Sequence, residues 1–251
     1  MKRIFLLVTG FLIICFLYAA PQDSLWQQAN DYYANGQYSD AVRVYTEIEK
    51  TNFVSSDLYF NKGNAYFKQN DLANAILYFE RAYRLAPNDA AIAHNLHIAQ
   101  QRTQDKVEAV PEFILTTWLR DMRHWASSDT WAVLSLILVL VAFVFLGIFF
   151  FARSVRFRKI SFFVTLGATV LVIGSFSFAF VQTTEMLDNS KSIIFPAVVT
   201  VKSAPDNTGK DLFILHEGTK VEVIDELAGW QNIRLADGKE GWIEASSTEK
   251  I

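Results

Sequence analysis

The sequence predicts a multidomain membrane protein: an α-helical repeat solenoid, then a two-helix transmembrane hairpin, then a small all-β barrel. Three observations carry this. Residues 131–151 and 160–180 are two uncharged runs of 21 residues, separated by a short basic stretch. Residues 22–105 repeat themselves with a period of 34. From Pro196 onward, short alternating runs are divided by Asp- and Gly-containing turns.

Residues 1–20 read as an export signal. Lys2 and Arg3 precede an apolar stretch, Ile4 to Tyr18, of signal-peptide length, and Ala19-Ala20 offer small residues for cleavage. An uncleaved anchor is the alternative; either way the chain is threaded outward. Cys15 is the one cysteine, so no internal disulfide framework exists.

In the repeat region, Leu25, Ala29, Asn30, Tyr32, Ala41 and Tyr45 recur as Tyr59, Gly63, Asn64, Tyr66, Ala75 and Phe79. Small residues let paired helices approach closely, and aromatics fill the space between successive helix pairs. The turns at Asn35-Gly36-Gln37 and Gln69-Asn70-Asp71 divide each pair, and Pro87 stops the second unit. The unit Tyr59…Gly63…Tyr66…Ala75…Phe79…Ala82…Pro87 resembles the tetratricopeptide-repeat family. Gln28 and Lys62 depart from it, standing where an apolar residue is usual, and Phe53 stands where the first repeat would have Pro. The expected units are 22–55, 56–89 and a capping helix, 89–106.

That resemblance implies a concave face built by the first helices. Its expected residues are Trp26, Asn30, Tyr33, Phe60, Asn64, Phe67 and His94. Aromatic anchors beside asparagines suit the capture of an extended peptide or a partner helix. The other reading is that several of these residues only pack against neighbouring helices.

Residues 107–130 form a connector. Ile114, Trp118, Met122 and Trp125 fall at helical spacing, with Arg120, Asp121 and Arg123 on other faces. Both a helix in the membrane interface and one packed on the repeats fit this pattern. Each 21-residue run would span about 31 Å as a helix, matching a hydrocarbon core of about 30 Å. The basic stretch, 152–159, holds Arg153, Arg156, Arg158 and Lys159. Short basic loops stay in the cytoplasm, so the regions before and after the hairpin are expected together on the outer side.

Residues 181–195 read as a linker and 196–251 as a barrel of five short strands. Leu215-His216-Glu217-Gly218-Thr219-Lys220-Val221, then Gly229-Trp230, then Asp237-Gly238-Lys239-Glu240-Gly241-Trp242-Ile243 resemble bacterial SH3-like domains, with Gly218, Trp230, Gly238, Gly241 and Trp242 as the signature. The family's usual Asn-Val-Arg is Thr200-Val201-Lys202 here.

Charge excludes one class of function. Residues 21–130 hold 10 Lys/Arg against 14 Asp/Glu, and residues 181–251 hold 7 against 12. Neither region has the basic face that nucleic-acid binding needs. No catalytic constellation, cofactor motif or metal set stands out. His94 and His97 lie one turn apart without an evident third ligand, and His216-Glu217 lacks a nucleophile to serve.

The order of parts resembles the repeat-bearing membrane protein of the Bacteroides aerotolerance (Bat) family. The likeness extends to Ser128-Asp129-Thr130-Trp131-Ala132 and Arg158-Lys159-Ile160-Ser161-Phe162-Phe163. It implies a non-enzymatic scaffold in an envelope complex, with von Willebrand A-domain proteins as partners. Peptidoglycan binding through the barrel is the alternative, and an envelope enzyme using His216 or Glu217 a third.

Overall fold

The computed structural model describes residues 20–107, 110 and 113–251. The expected export signal and Cys15 lie outside the described residues, apart from Ala20. The chain divides into two compact units. One joins the repeats to the C-terminal sheet; the other holds the connector helix and the hairpin.

In the first unit, α1 (Ala20–Ala34) pairs with α2 (Tyr38–Glu49), and α3 (Ser56–Lys68) with α4 (Leu72–Leu85); α5 (Ala90–Gln101) follows alone. Each pair turns through a left-handed residue, Gly36 at φ 77° and, 34 positions later, Asn70 at φ 63°. Side chains start the later helices: Ser55 accepts from the Leu58 amide, and Asp89 accepts from the amides of Ala91 and Ile92. The small residue of the repeat has a steric cause. A Cβ at Gly63 would lie 2.7 Å from the Phe79 ring.

Lys62, where the repeat pattern wants an apolar residue, is 1% exposed. Its Nζ donates to Glu49 Oε2 at 2.6 Å and to the Tyr78 hydroxyl at 2.8 Å, and lies 4.2 Å over the Tyr78 ring. A buried cation is tolerated only with such partners.

The C-terminal sheet has seven strands: β1 (Lys191–Ile194), β2 (Val198–Lys202), β3 (Asp211–His216), β4 (Lys220–Leu227), β5 (Trp230–Arg234), β6 (Glu240–Glu244) and β7 (Thr248–Lys250). All pairings are antiparallel, in the order β3-β2-β6-β5-β4-β1-β7. Odd-numbered residues of β5 and β6 point inward, with Ile233 and Ile243 fully buried, and the even-numbered Trp230, Asn232 and Trp242 point out. Gly241 is needed because a Cβ there would come within 2.5 Å of Val201.

Three expectations need correction here. The stretch 181–195 is not a linker, since helix runs to Leu187 and β1 follows. The sheet has two strands beyond the five expected, because β1 lies before residue 196 and β7 is three residues long and pairs only with β1. The basic stretch is not all turn: Arg156, Arg158 and Lys159 are helical, and Arg153 lies between helices.

Repeats and sheet share a core. Ile193 and Ile251 pack with Ala75, Ile76, Leu77, Phe79, Leu96 and Ala99. The turn at Gly218 presses on α4 and the segment after α5; a Cβ there would meet Ile76 at 2.9 Å and Thr103 at 3.1 Å. Asp105 ties the two together. Its carboxylate accepts from the His216 amide and the Thr219 hydroxyl, both at 2.7 Å, and faces His216 Nδ1 at 2.8 Å. Lys220 pairs with Glu80 at 2.6 Å, and Arg81 with Glu249 at 3.2 Å. The sheet thus covers apolar surface of α4 and α5 where the half repeat has no second helix of its own.

In the second unit, α6 (Ile114–His124) leads into α7 (Ser128–Phe151) and α8 (Val155–Leu187). Ser127 caps α7 by accepting from the Thr130 amide. Both α7 and α8 are long and apolar enough to cross a membrane. Ser161, Ala168, Ser175 and Gln182 are buried at seven-residue intervals along α8. The small residues among them, Ser161, Ala168 and Ser175, let the two helices lie close.

Candidate functional site

The candidate site is a groove on the inner face of the repeats. Tyr33, Asn64, Phe67, Lys68, Phe79, Asn95 and Ile98 line a pocket of about 350 Å³. Asn95 Nδ2 donates to Asn64 Oδ1 at 2.7 Å, holding α5 to α3 across its floor. Phe67 leans on Phe79 with ring centres 6.5 Å apart, and the Arg102 guanidinium lies 4.3 Å over the Phe67 ring. Aromatic surface, side-chain amides and one cation, Lys68, thus meet in one concavity.

Three of the seven expected groove residues, Tyr33, Asn64 and Phe67, line this pocket. The other four are elsewhere. Trp26 stands edge-on to Tyr45 at 6.1 Å, and Phe60, one period later, tilts against Phe79 at 6.0 Å. These two hold a first helix to its own second helix. Asn30 accepts a hydrogen bond from the Tyr45 hydroxyl at 2.7 Å. Burial, then proximity to Tyr33, pushes the Tyr45 phenol up to about 12, so it stays a donor at any physiological pH. His94 is exposed on α5 and does not line the pocket.

Lys68, Phe79, Asn95 and Ile98 were not expected. One signal could have found Ile98: it lies 34 residues after Asn64 and 68 after Asn30, so one further period reaches it. Asn95 had no such signal, because its partner is set by how α5 packs on α3.

The SH3-like signature residues serve the fold. Gly218 sits at the contact with the repeats, Gly238 turns β5 into β6 at φ 87°, and Gly241 lets β2 approach. Trp230 and Trp242 are half-buried on the outward sheet face, Trp242 paired with Asn232 and Lys202 across the strands. His216, a candidate catalytic group, is held by Asp105 at the contact with the repeats. Among the described residues, no group of three or more His, Cys, Asp and Glu is placed to hold a metal ion.

A groove-bearing helical-repeat module joined to a small antiparallel β module is the class this fold defines. Comparison with known families agrees: the tetratricopeptide-repeat family matches residues 27–90, and the bacterial SH3 domain family matches residues 197–249. No curated protein matches the chain. Tetratricopeptide repeats point to protein–protein interaction and bacterial SH3 domains to the cell wall; both are typically non-catalytic.

Proposed function

We propose that the chain is a membrane-anchored interaction scaffold of a bacterial envelope complex, resembling BatE of the aerotolerance system. The groove takes a partner protein outside the cytoplasm, and the hairpin fixes that partner at the bilayer. By the same resemblance the partner belongs to the membrane-anchored von Willebrand A-domain proteins. Binding, and not catalysis, is the activity.

The observation that carries the reading is the groove itself. Asn64, Phe67 and Asn95 present amide and aromatic surface within one concavity. The shared core of repeats and sheet supports the topology. Parts before and after the hairpin that pack together must lie in one compartment, so an intervening membrane segment must cross an even number of times. Two helices of spanning length meet that condition, and most of their apolar surface is exposed: 6% and 17% of their most apolar stretches is buried. The positive charges of Arg153, Arg156, Arg158 and Lys159 support a cytoplasmic turn.

The test is a photo-crosslinking residue at Phe67 or Tyr33 in intact cells, followed by purification and mass spectrometry. Capture of a membrane-anchored adhesion-type protein from the groove, but not from a control at Lys239, supports the scaffold. Equal capture at all three positions removes it.

The outward tryptophans favour a second reading, wall binding through the SH3-like sheet. Its test uses the intact chain, because a fragment starting at residue 196 would lack β1. Under this reading Trp242→Ala and Trp230→Ala lower the fraction that pellets with purified walls; unchanged pelleting ends it.

A further inference from the structure

Among the described residues of its unit, nothing covers the apolar face of α6. The helix has no buried residue. Ile114 is 83% exposed, Trp118 60% and Leu115 52%. At about 100° per residue, Ile114, Trp118, Met122, Leu115 and Leu119 fall within one arc of about 140°. Thr116, Thr117, Arg120, Asp121, Arg123 and His124 occupy the rest. An apolar stripe of this size on an aqueous surface marks a missing partner.

The polar side of the same helix says where that partner lies. At the C-terminal end of α6, the Arg123 carbonyl accepts from Trp131 Nε1 at 2.9 Å and from Gln182 Nε2 at 2.7 Å. Gln182 Nε2 also donates to the Ala126 carbonyl at 3.0 Å, and the Arg123 guanidinium pairs with Glu185 at 2.6 Å. Trp131 begins the uncharged run of α7, and Gln182 follows the uncharged run of α8. The end of α6 is therefore fastened at the level where the hairpin's apolar surface stops. Only Trp125, Ala126 and Ser127 separate α6 from α7. Exposed apolar residues thus follow one another along the chain from α6 through Trp125 to Val133 and Leu134 of α7. Trp118 and Trp125, exposed and amphipathic, are the residues that favour the boundary between hydrocarbon and headgroups.

We propose that α6 is a lipid-binding interfacial helix, its apolar arc set into the outer leaflet and its C-terminal end locked to the mouth of the hairpin by Gln182, Trp131 and Glu185. The inference rests on the hairpin being membrane-spanning. The lock fixes the depth of the helix and decides between the two readings that the sequence pattern of 114–125 leaves open.

Spin-label accessibility on the full chain tests this. The Cys15→Ser chain is placed in nanodiscs of phosphatidylcholine and phosphatidylglycerol. Single cysteines at Leu115, Trp118, Thr116 and Arg120 on α6, and at Leu136 and Leu140 on α7, carry a nitroxide. The expected result is collision with oxygen that is high at Leu136, Leu140, Leu115 and Trp118, and collision with a water-soluble nickel complex that is high at Thr116 and Arg120. High oxygen access at Leu136 and Leu140 with nickel access all round α6 overturns the interfacial helix and leaves the hairpin standing. Labels at Leu115 and Trp118 shielded from both reagents also overturn it, since a protein then covers the face. Nickel access at Leu136 and Leu140 removes the membrane reading and the proposal with it.

Discussion

Tyr45 donates its hydroxyl to Asn30 Oδ1 at 2.7 Å, whereas Phe79, one period later, has no hydroxyl to offer Asn64. Two asparagines at equivalent positions therefore do different things. Asn30 satisfies a buried phenol within its own repeat. Asn64 turns to Asn95 at the groove. Asn30→Ala is expected to lower stability by about 1 kcal/mol, the usual net worth of such a bond, and to leave partner capture unchanged. Asn64→Ala loses a bond of the same length, so it is expected to cost similar stability and, unlike Asn30→Ala, to weaken capture about fivefold, roughly 1 kcal/mol. Thermal denaturation run beside a pull-down separates the two; matching profiles would refute the division.

Lys62 carries the second prediction. Removing it leaves Glu49 and the Tyr78 hydroxyl without their buried partner. Lys62→Ala should cost about 3–5 kcal/mol, as for one half of a buried ion pair. Lys62→Met with Glu49→Gln should recover most of that, because the site then resembles the apolar position of the repeat pattern. Urea denaturation of the three chains measures both; a double variant no more stable than Lys62→Ala would show that the ion pair is not the cause.

Lys62 also marks how far the sequence could be read. The period of 34, the helix pairs and the two apolar runs were legible because each depends on local pattern: small against large residues, or the absence of charge. Tyr33, Asn64 and Phe67 followed from the same period. What pattern could not supply was contact between distant segments. Lys62 looked like a flaw in the repeat until Glu49 and Tyr78 were beside it. The stretch 191–194 is too short to announce itself as a strand, and it becomes one only through pairing with β4 and β7. Asp105 gave no signal at all, since its partners lie more than 100 positions away.

Asp105 gives the contact between repeats and sheet a pH dependence. Burial pushes its carboxyl up, but hydrogen bonds from Thr219 and His216 outweigh this and hold it below the usual carboxylate range. A depressed carboxyl contributes stability that is complete above its unfolded value and is lost as the pH falls through the folded one. The stability difference between the wild-type chain and Asp105→Asn should therefore be full at pH 6, and shrink below about pH 4, the ordinary aspartate value. Melting curves of both chains across that range check it. A difference that grows on acidification would reverse the assignment.

Gly218 combines a left-handed backbone, φ 81°, with contact against Ile76 and Thr103. Gly218→Ala meets both obstacles and should cost about 1–3 kcal/mol. The loss should appear first as separation of sheet from repeats, seen as faster proteolysis near Asp105. Gly229→Ala has a similar φ, 84°, and nothing within 4 Å. It should destabilise less and leave that cleavage rate unchanged; equal effects at the two glycines would mean that backbone strain alone is responsible.

The shared core makes the topology testable without knowing any partner. Ile193 and Ile251, after the hairpin, are buried against residues of α4 and α5, before it. A chain with the two regions on opposite sides of a bilayer could not make that core. In the Cys15→Ser background, single cysteines replace Asn35 in the first repeat turn, Ser154 between the spanning helices, and Lys239 in the β5–β6 turn; all three positions are exposed. A membrane-impermeant maleimide applied to cells with a permeabilised outer envelope should label positions 35 and 239 together and spare 154 until the cells are lysed. Labelling of 154 alone would keep the even number of crossings but reverse the orientation inferred from Arg153, Arg156, Arg158 and Lys159. Labelling of 35 without 239, or the converse, would contradict the shared core itself.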